Sequence, residues 1–223
     1  VSSRPLLQIT ANVNVTAKFV LERRKSNITI TSPSGGETLS SGSTWTITWE
    51  SSSDVAKYDL SYYDGFNWKP IAKDVTGSRY QWHTPAVAKN KKDCKVRVVG
   101  YDAQGKKIAS DNSIGTFSIK VVKLTSLNGG QKLIAGSSQT IQWTTYSVTR
   151  DVAKTKLFYT LNGGRKWKKI EGLTENAGRY TWTIPAIDET HAECKVKVVL
   201  EAPGGAIIGS DESDSFFSIK PAS

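Results

Sequence analysis

The feature that most constrains this chain is that it repeats itself. Ser34-Gly35-Gly36-Glu37-Thr38-Leu39 has a counterpart in Asn128-Gly129-Gly130-Gln131-Lys132-Leu133, and Ile47-Thr48-Trp49 returns 94 residues later as Ile141-Gln142-Trp143. Asp54-Val55-Ala56-Lys57 recurs as Asp151-Val152-Ala153-Lys154, and Trp68 as Trp167. The later landmarks lie 100 apart: Arg79-Tyr80 with Arg179-Tyr180, Trp82 with Trp182, Pro85-Ala86 with Pro185-Ala186, Cys94-Lys95-Val96 with Cys194-Lys195-Val196, and Phe117-Ser118-Ile119-Lys120 with Phe217-Ser218-Ile219-Lys220. The offset grows only between landmarks, where surface loops accept insertions. A chain of 223 residues has room for two small domains. The repeat therefore predicts tandem copies of one domain at 28–120 and 121–220.

Each copy reads as all-β. In Cys94-Lys95-Val96-Arg97-Val98 the apolar residues alternate with cations, the period-2 signature of a half-buried strand. Runs near 28–32, 44–50, 57–63, 67–73, 78–83, 93–101 and 113–119 predict seven short strands per copy, the count of an immunoglobulin-like sandwich. No segment carries a long 3.6-residue apolar period. Trp49 and Trp143 end strands that alternate with Ile47 and Ile141, which assigns them to the space between the sheets. Copy one ends at Lys120 and copy two opens with Val121-Val122-Lys123-Leu124. With no Gly/Ser- or Pro-rich linker between them, the pair is expected to be stiff and elongated.

The first residues belong to neither copy. From Gln8 to Leu21 the apolar set Ile9, Ala11, Val13, Val15, Ala17, Phe19 and Leu21 alternates with a mostly polar one. That predicts a strand of ~13 residues, against a usual 5–6. An unpaired apolar strand of such length invites aggregation, so it requires a partner. The candidates are an edge of its own first domain, the remainder of a preceding domain, or another subunit by strand addition. Val1 in place of an initiator Met, with no signal-peptide pattern, reads as a processed chain or an excerpt. Asn14-Val15-Thr16 and Asn27-Ile28-Thr29 are acceptor sequons for glycosylation.

Catalytic chemistry finds little support. The only histidines, His83 and His191, sit at non-equivalent places in the two copies and have no partnered cysteine. That is neither a zinc set nor a Ser-His-Asp triad. Cys94 and Cys194, one per copy, read as buried thiols too distant to pair. Asp211, Glu212 and Asp214 suggest a Ca²⁺ site near a strand end, but copy one has Asp111-Asn112-Ser113 there, so a solvated acidic turn is the expectation. No Gly-rich phosphate loop opens a helix. The net charge of +10 is spread, with +4 in residues 1–27 from Arg4, Lys18, Arg23, Arg24 and Lys25 against Glu22. Elsewhere basic residues alternate with core positions, the wet face of a strand and not a nucleic-acid stripe. Affinity for acidic polysaccharide is compatible with that charge. Tyr63 and Phe66, at the tip of a hairpin in copy one where copy two has Asn162 and Arg165, form the one candidate glycan contact. The longest apolar runs, such as Val198-Val199-Leu200, are far short of the ~20 residues of a membrane-spanning helix.

The pattern Pro-x-Gly-Gly-Glu-x-Leu, Ile-x-Trp, Asn/Asp-Gly-x-x-Trp and Tyr-x-Trp-x-x-Pro resembles the Ig-like repeats of bacterial and archaeal secreted surface proteins. It is also similar to the fungal Ser/Thr-rich GPI-anchored cell-wall module. Ala11-Asn12-Val13-Asn14-Val15-Thr16-Ala17-Lys18-Phe19 resembles the closing strand of another bacterial extracellular β-repeat. Thr160-Leu161-Asn162-Gly163-Gly164-Arg165-Lys166-Trp167 looks like the Asp-box hairpin of sialidase-type propellers, a folding element there, and Ser61-Tyr62-Tyr63-Asp64-Gly65-Phe66-Asn67-Trp68 departs from it by placing Tyr63 at the Asp/Asn position. Here the box reads as a tight turn.

The resulting expectation is an all-β chain of two tandem immunoglobulin-like β-sandwiches behind a long N-terminal β-strand: a non-enzymatic extracellular structural protein without cofactor or metal. Its sharpest form is the subunit of a cell-surface filament, a homopolymer joined through residues 8–21. The alternative is a spacer or glycan-binding accessory region of a large adhesin or secreted hydrolase, partnered by neighbouring domains of that protein or by polysaccharide.

Overall fold

The computed structural model describes residues 27–173 and 175–222. The donor-type strand at 8–21, with Ile9, Ala11, Val13, Val15, Ala17, Phe19, Leu21 and the Asn14 sequon, lies outside the described residues. Asn27 of the second sequon is exposed, and its backbone is bonded to Ser52.

The described residues are all strand and turn. In the first copy the strands are β1 (Ile28–Ser32), β2 (Thr38–Ser40), β3 (Thr44–Ser51), β4 (Lys57–Tyr63), β5 (Trp68–Val75), β6 (Arg79–His83), β7 (Lys91–Tyr101), β8 (Lys107–Asn112) and β9 (Phe117–Lys120). The second copy repeats them as β10 (Val122–Leu124), β11 (Lys132–Ile134), β12 (Ser138–Thr145), β13 (Lys154–Thr160), β14 (Lys168–Leu173), β15 (Arg179–Thr183), β16 (His191–Glu201), β17 (Ile207–Glu212) and β18 (Phe217–Lys220). A three-stranded sheet, β1-β3-β6, faces a six-stranded one, β2-β9-β7-β4-β5 with β8 on β7. Sheets β10-β12-β15 and β11-β18-β16-β13-β14, with β17 on β16, reproduce the arrangement. Two tandem Ig-like sandwiches follow from this order, with β2–β9 and its counterpart β11–β18 paired in parallel and the remaining strand pairs antiparallel.

Alternation places the core. Cys94, Val96 and Val98 are fully buried, while the cations between them face outward. Trp49 is buried and tilts onto Tyr58, ring centroids 5.0 Å apart, with its indole N–H unpartnered. Trp143 is buried too, but its indole N–H donates to Asn176 at 2.7 Å. The Gly-Gly-Glu motif is a turn: the Glu37 carboxylate accepts the N–H groups of Ser34 and Gly35, both at 2.7 Å, and Gln131 accepts that of Gly129 at 3.0 Å. Gly35 sits so close to Gly115 that a Cβ there would lie 2.5 Å from the Gly115 Cα.

Nine strands, not seven, form each sandwich. β2 is only three residues long, too short to show a period. The run read as a single strand at 113–119 begins at Phe117, and a separate strand, β8, precedes it. The break falls at buried Ser113, whose N–H donates to Val96 O at 2.9 Å and whose hydroxyl accepts the Val96 N–H at 3.1 Å. Ser213 does the same to Val196.

Candidate functional site: the joint between the sandwiches and the hairpin tips

Only Val121 separates β9 from β10, and both Val121 and Val122 are fully buried. Asn90 straddles the junction. Its N–H donates to Ile208 O at 2.8 Å, its side-chain amide donates to Ser210 O at 3.1 Å, and its amide oxygen accepts the Val121 N–H at 2.9 Å. The buried Ser41 hydroxyl donates to Ser147 O at 2.5 Å and accepts the Val87 N–H at 3.0 Å. Val87 and Val148 form a parallel bridge, extended by Thr149 N–H to Val87 O at 3.3 Å. Gly209 allows the close approach: a Cβ there would lie 2.4 Å from Val121 Cγ2 and 2.9 Å from the Asn90 amide oxygen.

The expectation of a solvated acidic turn at Asp211, Glu212 and Asp214 is corrected for Asp211. It is buried in β17, pairs with Lys120 Nζ at 2.5 Å through Oδ1, and accepts the Leu124 N–H at 2.8 Å through Oδ2. Both carboxylate oxygens therefore have protein partners. Asp111 takes the equivalent role in the first sandwich, accepting the Ile30 N–H at 2.8 Å. Glu212 reaches Lys195 at 3.4 Å, and Asp214 is exposed. Among the described residues no group of three or more His, Cys, Asp and Glu is placed to hold a metal ion. No helix of the described residues is long and apolar enough to cross a membrane.

The hairpin tips are set by ladder register. Tyr63 pairs with Lys95 and Thr160 with Lys195, so Tyr63 corresponds to Thr160. The expectation that it corresponds to Asn162 is corrected: the copy-two loop is two residues longer. Tyr63 lies on the outer face of the sheet, its ring 5.5 Å from Trp68, which in turn carries Arg97 at 3.8 Å. Phe66 is 74% exposed, with Lys91 Nζ 5.4 Å from its ring. Tyr63 and Phe66 thus have different neighbours. In the second sandwich Trp167 carries Lys197 at 3.8 Å in the same way, and burial lowers the Lys197 pKa. Asn162 caps its loop, its Oδ1 accepting the Thr160 hydroxyl and the Lys166 N–H, both at 2.9 Å. That is the tight turn expected of the box.

The buried Asp64 plays the capping part in copy one, accepting the N–H groups of Phe66 and Asn67 at 3.0 and 2.9 Å. Lys69 and Lys91 approach its other oxygen at 3.2 and 3.4 Å. Burial raises its pKa, but the two backbone donors and the two ammonium groups outweigh that and hold it well below the usual carboxylate range. Cys94 and Cys194 are free, fully buried thiols, each pushed up to about 11 chiefly by burial. His83 is exposed on β6, and His191 is half-buried at the start of β16. The sequence contained no local signal for Asn90, Ser41 or Gly209, whose roles exist only across the joint.

No protein-family model matches the chain, and no curated protein matches it. Solved structures do. The Clostridium thermocellum CbhA fibronectin(III)-like modules match at 17% identity and TM-score 0.35, covering 87% of this chain and 95% of that one. The Rst D1-D2 pair matches at 9% and 0.29, covering 88% and 100%. Chicken CNTN1 FN1-FN3 domains match at 11% and 0.30, covering 82% of this chain and 63% of that one. The Ig-like assignment rests on the chain's own strand order and pairing.

Proposed function

We propose that this chain is a non-enzymatic structural module of an extracellular assembly in which the two sandwiches act as one rigid unit. The joint supports this. A hinge requires backbone and polar groups free to change partners, whereas the joint commits Ser41, Val87, Asn90 and Lys120 of the first sandwich to partners in the second. Small-angle scattering of the chain and of an Asn90→Ala, Ser41→Ala variant tests it. A single sharp interdomain distance that broadens in the variant is the expected result. A broad distribution in the intact chain overturns the reading.

The finer form is a filament subunit whose residues 8–21 add as a strand to a neighbouring copy. Edge geometry supports it. Trp49 N–H donates to Ser78 O and Thr84 N–H to Ser43 O, so the alternation of an antiparallel ladder turns the backbone of Arg79, Gln81 and His83 away from β3. Beside that edge Tyr62, Pro70, Ile71, Tyr80, Trp82 and Pro85 line an open cleft of about 530 Å³. The edge of β1 is instead closed at Ile30 by Asp111, and Pro70 on β5 has no N–H to offer. Electron microscopy of the intact chain, of a version lacking residues 1–25 and of Val13→Asp tests it. Filaments from the intact chain alone are expected.

The exposed Phe66 favours the second reading, a spacer or glycan-binding accessory region of a larger adhesin or secreted hydrolase. It predicts short monodisperse rods from all three samples.

A further inference from the structure

The two copies answer the same electrostatic problem differently. By ladder register Lys69 corresponds to Lys168, since they pair with Tyr62 and Tyr159, and Lys91 corresponds to His191, since they pair with Ile119 and Ile219. The residue after Tyr63 is Asp64, and the residue after its counterpart Thr160 is Leu161. In the first sandwich, then, two cations converge on a buried internal carboxylate. In the second the residue after the strand is leucine and the loop is capped by the neutral Asn162; Lys168 keeps the cation of Lys69, His191 stands where the first has Lys91, and Lys166 joins them. Leu161, Asn162, Lys166, Lys168 and His191 line an open hollow of about 300 Å³, the small end of the range for ligand sites.

The neighbouring carboxylates are engaged elsewhere. Glu193 pairs with Arg165 at 3.3 Å and Glu212 with Lys195 at 3.4 Å. Among the described residues no Asp or Glu lies within 4.0 Å of the charged or imidazole nitrogens of Lys166, Lys168 or His191. Lysine offers three donors, and an imidazole offers at least one in either protonation form.

We propose that this hollow is an anion site that takes the carboxylate of an acidic saccharide, with the Asp64 carboxylate of the first sandwich as its built-in counterpart. The carboxylate meets Lys168, Lys166 and the His191 ring. The apolar Leu161 side chain and the Asn162 amide flank the saccharide body, an apolar surface beside polar groups that suits a sugar ring better than an extended peptide. In copy one the Asp64 carboxylate itself engages Lys69 and Lys91, so one such site is expected among the described residues. The site is independent of how the chain assembles.

Trigalacturonate titrated into the full chain tests this, with the neutral galactose trisaccharide and a capped tripeptide bearing a free carboxylate alongside, followed by calorimetry and by NMR of the His191 ring. One trigalacturonate per chain with a shift at His191 is expected, and no response to the neutral sugar. Leu161→Asp installs the internal carboxylate of copy one and should abolish binding, and Lys168→Gln should weaken it about tenfold or more. Asp64→Leu should raise the stoichiometry from one to two. Thermal melts confirm that each variant folds. Absence of binding, binding indifferent to both Leu161→Asp and Lys168→Gln, or an equal response to the neutral sugar overturns the proposal. Preferential binding of the tripeptide overturns its saccharide class.

Discussion

Lys120, the last residue of the first sandwich, holds Asp211 of the second at 2.5 Å, and the other oxygen of Asp211 accepts the Leu124 N–H. One carboxylate thereby ties the end of one domain to the first strand of the next. It also closes the open edge of β10, as Asp111 closes that of β1. Edge strands left open are a liability, and a side-chain acceptor on the outward N–H removes the template for stray pairing.

Asp211→Ala leaves the buried Leu124 N–H without an acceptor and Lys120 without its partner. It should destabilise the second sandwich by about 2–3 kcal/mol, and Asp111→Ala the first by about 1–2 kcal/mol, because only a hydrogen bond is lost there. Urea unfolding of the two variants should give that order.

Gly209→Ala introduces a Cβ within 2.4 Å of Val121 Cγ2. Overpacking at such a site costs about 1–3 kcal/mol. The cost should fall on the joint, seen as a wider interdomain distribution in scattering with little change in either sandwich core.

Asp64 confers acid sensitivity on the first sandwich. Its folded pKa lies below the ordinary value, so the unfolded chain binds the proton more readily. Stability from this group is complete above the unfolded carboxylate pKa of about 4 and is lost as pH falls toward the lower folded value. Melting temperatures between pH 6 and pH 2 should decline more steeply for the native chain than for Asp64→Asn.

Cys94 and Cys194, with thiols pushed up to about 11 by burial, should be silent to a thiol reagent at pH 8 in the folded protein. Reactivity follows the thiolate. Both should titrate, as two equivalents per chain, once the protein is unfolded in denaturant.

The repeat was legible because its landmark residues recur in linear order 94 to 100 positions apart, and the all-β class and the core positions of Trp49, Trp143, Cys94 and Cys194 because each depends on a local period of two. Sequence also separated the two kinds of hairpin tip, though without their true register. What it could not reveal depends on pairings between distant residues. Asp111 meets Ile30 across 81 positions and Asp211 meets Leu124 across 87, and no local pattern marks either carboxylate as buried. Whether Tyr63 corresponds to Thr160 or to Asn162 is decided by the ladders with Lys95 and Lys195, because a loop insertion shifts linear spacing without moving the strands. Asn90 and Gly209 likewise became joint residues only when tertiary packing brought Val121 against both, leaving room for a side-chain amide and none for a Cβ.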